Sequence, residues 1–387
     1  MAAIAGLGFS AISRREIGTP RDLAIDAIIA SVADCGLKLT DLDGLLVTCT
    51  PAAPPNTVPL RLSDDLGLGD LTLTGNIQVE GASVVAALQH ASLCIRHGMA
   101  KVVACVFADA PLRPGQERGS AAYNRAMPLS GLGLWDAEHG LFGAAGAYAL
   151  AASRYLHVHS LPDDAFGPYA VACRRWAADN PQAMLRTPID LADYRDSPLV
   201  AAPFRVLDCA YPVNGAIAIV VTGCDRAAGL LRPPVYLHAF AQCHPGSGNM
   251  SGLEPELDSG ARVAAQGLWR ATGLGPAQVE MAQFYDPFSY VPLLALEEYG
   301  LCPPGEATRF VADGHTAPGG TLPVNTGGGH LSGFYLQGMT PVAEAVIQAR
   351  GHGGARQSAR NNVILVTGAG GRLDYHASML VSPHAEI

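Results

Sequence analysis

Residues 81–107 open Gly81-Ala82-Ser83-Val84-Val85-Ala86-Ala87-Leu88 and continue apolar to His97; Gly98 follows, then the run Lys101–Phe107 (KVVACVF). The first part has the composition of a strongly apolar helix that Gly98 closes. The second is a continuous apolar strand, the kind buried on both faces of a parallel sheet. A helix feeding such a strand is half of a βαβ unit. The same plan extends outward. Ala3–Phe9 reads as a short strand. Pro20–Cys35 has helical spacing, with Leu23, Ala24, Ala27, Ile28 and Val32 on one face and Gly36 at its end. Asp41–Val47 is a turn feeding a strand. Residues from about 109 to 205 break the alternation with Pro111, Pro114, Pro128, Pro162 and Pro168, and read as an insertion of loops and helices over the core. Tyr211–Val221 (YPVNGAIAIVV) returns to a strand.

The later part of the chain repeats the opening. Arg21–Gly44 has a helix, then Gly36-Leu37, then Asp41-Leu42-Asp43, then a strand. Arg262–Phe284 has a helix, then Gly273-Leu274, then Gln278-Val279-Glu280, then a strand, with the same five-residue offset from the glycine to the polar turn. Any two βα units share some of this, but the matching offset favours an internal duplication. The expected halves are 1–225 and 226–387.

Composition narrows the function classes. With 387 residues, 49% hydrophobic, the chain is long enough for two domains. Its 44 glycines and 15% charged residues suit a tightly packed α/β enzyme rather than a disordered segment. The net charge of -9 carries no nucleic-acid footprint. The one local basic cluster, Arg350–Arg360 (RGHGGARQSAR), reads as a surface loop, or alternatively as an anion contact. Nine scattered cysteines with no CxxC pair point to reduced thiols in the cytoplasm. The N-terminus reads as a first strand, not a signal peptide. No stretch of 18 apolar residues predicts a membrane span.

Asn325-Thr326-Gly327-Gly328-Gly329-His330-Leu331-Ser332 fits the pattern N-x-x-G-G-x-x-S, and on it the chain resembles the thiolase superfamily over nearly its whole length. The likeness is greatest to the branch of sterol carrier protein X and bacterial lipid-transfer thiolases. That resemblance implies an α/β thiolase fold: two similar βαβαβαββ halves in a five-layered αβαβα arrangement, and a CoA thioester substrate. It also locates four departures. Where the family has a nucleophilic Cys at a helix N-terminus, this chain has Gly81, so no acyl-enzyme can form there. The family's H-D-C-F or N-E-A-F loop reads Tyr285-Asp286-Pro287-Phe288. The family's catalytic His in G-H-P is Tyr335, in Gly333-Phe334-Tyr335-Leu336-Gln337-Gly338. The family's second Cys is Thr367, ahead of Gly368, Gly370 and Gly371. The glycine scaffolding is kept while the chemistry is replaced.

The sequence looks like the subgroup of lipid-transfer thiolase-like proteins that act as retro-aldolases on steroid side-chain CoA thioesters. There a β-hydroxyl is deprotonated, the Cα–Cβ bond breaks, a ring ketone leaves, and a short acyl-CoA such as propionyl-CoA is completed by protonation. Tyrosines suit such proton transfers, but a free phenol near pKa 10 is too weakly acidic to stand ionised at neutral pH. The site must lower it, or a relay through water, Asp286 or His330 must carry the proton. The expected roles are Tyr335 as base on the hydroxyl and Tyr285 as donor to the enolate, both facing the space that the sulfur vacated. The roles are exchangeable on sequence alone. Gly81, Asp286, Gly328, Gly329, His330, Gly370, Gly371 and His139 are the candidate substrate-contacting residues; capping a helix is the alternative for His139, and His376 reads as core. Lys38 and Lys101 lie off the active-site loops, which disfavours a Schiff base. His157 and His159 lack a third ligand motif, so no metal is expected. No cofactor is expected beyond the CoA of the substrate. The resemblance implies a homodimer and a small partner with an OB-fold and zinc ribbon. A non-catalytic CoA-thioester-binding subunit and an atypical thiolase or acyltransferase remain the alternatives.

Overall fold

The computed structural model describes residues 1–48, 59–114, 137–141, 143–245, 259–371 and 373–387. Cys49 and Pro128 fall outside them. The strands are β1 (Ala2–Phe9), β2 (Gly44–Thr48), β3 (Leu73–Ile77), β4 (Val102–Asp109), β5 (Leu199–Ala201), β6 (Phe204–Arg205), β7 (Gly215–Gly223), β8 (Val235–Cys243), β9 (Met281–Gln283), β10 (Ile364–Gly370) and β11 (Tyr375–Ser382). Strands β5 and β6 form a separate small hairpin. The others make one mixed sheet in the order β3-β2-β4-β7-β1-β8-β11-β10-β9.

That order contains a repeat. In β2-β4-β7-β1 the first pair is parallel and the next two are antiparallel. In β9-β10-β11-β8 the same relations hold in the same sequence. The two units join only where Ala2–Ile4 pairs with Leu237, Tyr236 and Val235, so a sheet expected as two stacked pieces is continuous through one short seam.

Strand alternation sends side chains to three cores. Val102, Ala104 and Val106 of β4, with Ala216, Ala218 and Val220 of β7, pack under helix Pro20–Asp34 through Leu23, Ala27 and Ile28. Their neighbours Val103, Cys105, Phe107, Ile217, Ile219 and Val221 face the opposite way. They meet helices Ser83–Arg96 and Met339–Ala349, which are covered on the far side by Ile364, Val366, Met379 and Val381. Leu365 and Leu380 face the third core, with helices Ala261–Thr272 and Tyr290–Glu298. The layers run helix, sheet, helix, sheet, helix, as in a thiolase fold. Helix Pro20–Asp34 begins where it should: Thr19 and Asp22 form a capping box and Pro20 takes the first turn.

The described part of the insertion supplies helices Gly143–Val158, Gly167–Ala178 and Leu191–Asp196. Their buried tyrosines join the third core. Tyr290 opens a helix, and His376 is buried in β11. Among the described residues, no helix is long and apolar enough to cross a membrane.

Two sequence readings need correction. The strand expected from Tyr211 starts at Gly215, because residues 211–214 are bonded elsewhere: the Tyr211 amide donates to the His330 carbonyl at 2.8 Å, and the Asn214 side chain accepts from the Leu112 amide at 2.9 Å. The Arg350–Arg360 segment is not simply a solvated loop. Arg356 is buried and forks onto Glu344 at 3.0 and 3.1 Å. Arg350 bonds Asp34 at 2.8 Å and the Ala5 carbonyl at 2.7 Å. A buried guanidinium requires a partner, and Asp34 lies 316 residues away along the chain.

Candidate active site

Four segments converge at one end of the central helix layer. They are the Glu80–Ala82 turn that leads into helix Ser83–Arg96, the loop after β9, the glycine loop from Asn325 to Gly338, and the end of β10. The Ser83 side chain fixes the turn: it accepts from the Val79 amide at 2.8 Å and donates to the Glu80 carbonyl at 2.6 Å.

Gly81 is a glycine for want of room. A Cβ there would lie 2.0 Å from the Ala369 carbonyl oxygen and 2.4 Å from Cζ of Tyr285. The phenol ring fills the volume where a nucleophile's side chain would begin. The expected vacated space does not exist; Tyr285 occupies it.

The Tyr285 and Tyr335 hydroxyls are 2.8 Å apart. The His330 ring stands edge-on to both, at 4.9 Å from Tyr285 and 5.0 Å from Tyr335 between centroids. Backbone bonds hold the pair: the Tyr285 amide donates to Thr367 Oγ1 at 3.3 Å, and the Tyr335 amide to the Tyr211 carbonyl at 2.9 Å. Burial pushes both phenols above their ordinary range. The Tyr285 hydroxyl favours a Tyr335 phenolate, whereas the neighbouring phenol only adds to the rise at Tyr285.

Asp286 and His330 sit behind this pair as a framework. Both are fully buried. Asp286 accepts from the His330 amide at 2.8 Å and from the Tyr169 hydroxyl at 3.2 Å. The His330 Nε2 faces the Gln337 carbonyl at 2.8 Å, so it carries a proton and donates it there. Nδ1 lies 3.2 Å from the Asp286 amide nitrogen. Neither residue hydrogen-bonds a phenol of the pair. Gly329, at φ +57, lets this framework close, since a Cβ there would meet Asp286 Oδ2 at 2.1 Å. Gly328 and Gly371 also have positive φ. Gly370 packs on the turn: its Cβ would meet that of Glu80 at 2.4 Å. His139 is exposed on the insertion, unlike the tyrosines.

Sequence reading missed two neighbours. Glu80 precedes Gly81 with φ +49, and burial raises its carboxyl above the usual range. Tyr148, from the insertion, packs its ring 5.1 Å from Phe288 and interacts electrostatically with Tyr335 and Glu80. Glu80 stands three residues before helix Ser83–Arg96, and nothing local in the sequence pointed to it or to Tyr148.

Known proteins resemble the chain over nearly its whole length. Residues 244–383 match the family described as Thiolase C-terminal domain-like. The chain is 36% identical over 377 residues to the 17-hydroxy-3-oxo-4-pregnene-20-carboxyl-CoA lyase of Mycobacterium tuberculosis, covering 95% of this chain and 96% of that one. The chain belongs to the thiolase superfamily, in its aldolase branch. This thiolase-like enzyme is also 34% identical over 385 residues to the steroid side-chain-cleaving aldolase of Thermomonospora curvata, covering 95% of each. It superposes with a TM-score of 0.87 and 31% identity on a solved structure described as an Ltp2-ChsH2(DUF35) aldolase, covering 100% of this chain and 98% of that one.

Proposed function

We propose that this enzyme is a retro-aldolase that cleaves a β-hydroxyacyl-CoA, a steroid side-chain CoA ester, into a ring ketone and a short acyl-CoA such as propionyl-CoA. The observation that carries the reading is the pair of phenol hydroxyls 2.8 Å apart at the helix tip, where a thiolase would place its sulfur. The likeness in sequence and length to lyases of this class supports the substrate.

The chemistry follows from the geometry. Neither phenol stands ionised at neutral pH, because burial raises both. Tyr335 accepts the β-hydroxyl proton while its own hydrogen bond to Tyr285 shifts. The Cα–Cβ electrons pass to the thioester as an enolate, the ketone leaves, and Tyr285 donates toward the enolate. No covalent intermediate is required, so a glycine at position 81 is no handicap. No cofactor enters beyond the CoA of the substrate. We extend the proposal to the halves 1–225 and 226–387, a homodimer, a cytoplasmic location suggested by the scattered cysteines, and assembly with a small OB-fold partner. The relative solved as an Ltp2-ChsH2(DUF35) aldolase supports such a partner.

Incubation of the protein, alone and with its partner, with a β-hydroxyacyl-CoA tests the reading. Ketone plus short acyl-CoA is the expected result. CoA-dependent cleavage of a β-ketoacyl-CoA identifies a thiolase instead, and tight binding without turnover a scaffold. Tyr335→Phe should lower turnover by roughly 10²–10⁴; full activity in both Tyr335→Phe and Tyr285→Phe removes the phenols from the mechanism.

A further inference from the structure

We infer that the Tyr169 hydroxyl is a positioning group for the reaction: it locks Asn325 to Asp286 and so holds Tyr285 at hydrogen-bonding distance from Tyr335. The inference rests on the lyase reading above.

The two phenols stand on different loops, Tyr285 after β9 and Tyr335 in the glycine loop, so their 2.8 Å contact depends on the ties between those loops. Two ties flank Tyr285. On its N-terminal side, Asn325 takes both main-chain polar groups of Phe284: Oδ1 accepts from the amide at 2.7 Å and Nδ2 donates to the carbonyl at 3.0 Å. On its C-terminal side, Asp286 Oδ1 accepts from the His330 amide at 2.8 Å. The Tyr169 hydroxyl joins the two ties. It accepts from Asn325 Nδ2 at 2.8 Å and donates to Asp286 Oδ2 at 3.2 Å.

The direction of each bond is forced. The Phe284 amide can only donate and its carbonyl only accept, which sets the Asn325 amide in one orientation, with Nδ2 toward Tyr169. The Tyr169 oxygen must then accept, and its single hydrogen is left for Asp286. Burial, and after it the Asp286 charge, push this phenol well above its ordinary range, so the hydrogen stays on it. Tyr169, Asn325 and Asp286 are all buried, where a bond is stronger than in water and a missing one costs more. The Tyr169 ring packs in the third core, a task that phenylalanine would serve; the hydroxyl is the part that the clamp uses.

Helix Gly167–Ala178 brings this hydroxyl from the insertion, and the segment after it grips the same glycine loop. Asn180 Nδ2 donates to the Gly327 carbonyl at 2.8 Å, and the Met184 and Leu185 amides donate to the carbonyls of Gly333 and Ser332 at 2.9 and 3.0 Å. Those bonds fix the glycine loop to the insertion, and Tyr169 extends the grip to the loop of Tyr285. Both bonds of the Tyr169 hydroxyl lie within the clamp, so it acts on the reaction through the loops and not as a proton carrier.

Tyr169→Phe keeps the ring and deletes the tie. In its crystal structure the Tyr285 and Tyr335 hydroxyls should part beyond hydrogen-bonding distance. Its kcat for β-hydroxyacyl-CoA cleavage should fall about tenfold or more, with KM within about threefold. Tyr155→Phe is the control: it takes another buried hydroxyl of the insertion from a carboxylate, that of Glu297, and should leave kcat within about twofold. Asp286→Asn can accept at one position only, so it breaks the clamp from the other end. Combined with Tyr169→Phe, it should lower kcat no further than the worse single variant, whereas independent structural damage would multiply the losses. Parental kcat in folded Tyr169→Phe, a loss with the hydroxyls still paired, an equal loss in Tyr155→Phe, or multiplied losses in the double variant each overturn the inference. The lyase reading survives all four, since the wild type still cleaves in the same assay. A wild type that leaves β-hydroxyacyl-CoA intact overturns both. Should Tyr169→Phe fail to fold, Asp286→Asn decides by the same two measurements, and parental kcat with paired hydroxyls rejects the role.

Discussion

Gly81→Ala is the smallest change that tests how the phenol pair is held. The added methyl would lie 2.4 Å from Tyr285 Cζ and 2.0 Å from the Ala369 carbonyl, against an ordinary contact of 3.4–4 Å. The ring must retreat by about 1 Å, and so must a backbone strand end that cannot rotate away. A hydroxyl contact of 2.8 Å stretched by about that amount is no longer a hydrogen bond. Misplacement of a reacting group by about 1 Å lowers rates by roughly 10². Overpacking of this kind destabilises by about 1–3 kcal/mol. For 387 residues, a specific unfolding entropy of about 2.1 cal/mol/K per residue turns that into a melting shift of about 1–4 °C. Steady-state cleavage of a β-hydroxyacyl-CoA and a thermal melt by circular dichroism read both effects. A variant with parental turnover and parental melting temperature would show that the Gly81–Tyr285 contact is not what fixes the site. Gly81→Cys should fare no better and should gain no thiolase activity, because the added thiol competes for the same volume.

Two further outcomes follow from buried charge. Arg356→Met leaves Glu344 buried beside Thr326 and Gln348, which donate to it at 2.9 and 3.0 Å; urea unfolding should show a loss of about 3–5 kcal/mol, and adding Glu344→Leu should restore most of it. His376, 2.8 Å from the Tyr299 hydroxyl, is held down to about 3, first by burial and then by the charge of His244. The unfolded chain protonates it near 6.5 while the folded chain refuses the proton, so its contribution is complete above 6.5 and declines as pH falls toward 3, by at most about 1.4 kcal/mol per unit. His376→Gln should flatten the fall in urea midpoint between pH 6.5 and 4; an unchanged slope would assign acid sensitivity elsewhere.

The helices and strands were legible because each is an apolar run bounded by glycine, and the duplication because its offset repeats. Tyr335 was placed by counting on from Ser332 of the glycine loop and Tyr285 by the loop after the first strand of the later half, and the fold brings their hydroxyls to 2.8 Å. What escaped was non-local. Arg356 reads as one more polar residue in a glycine-rich stretch until Glu344 is folded onto it. Asp286 and His330 read as relay candidates, yet the framework of Tyr169 and the Gln337 carbonyl claims both. Glu80 escaped for a different reason: a positive φ at a glutamate leaves no mark in sequence, because tertiary packing against β10 imposes it.

On the proposed reading, the glycine at position 81 and the tyrosine at position 285 go together. The Tyr285 ring takes the volume that any side chain at Gly81 would need, and cleavage without a nucleophile there runs on acid–base groups alone. Burial then acts in favour of the new chemistry rather than against it. A thiolate must be stabilised as an anion, which a dry pocket resists, whereas a pair of neutral phenols can pass a proton without either becoming a standing anion. Charge appears only at the enolate, and there a neutral hydroxyl donor in a low-dielectric site is worth more than it would be in water.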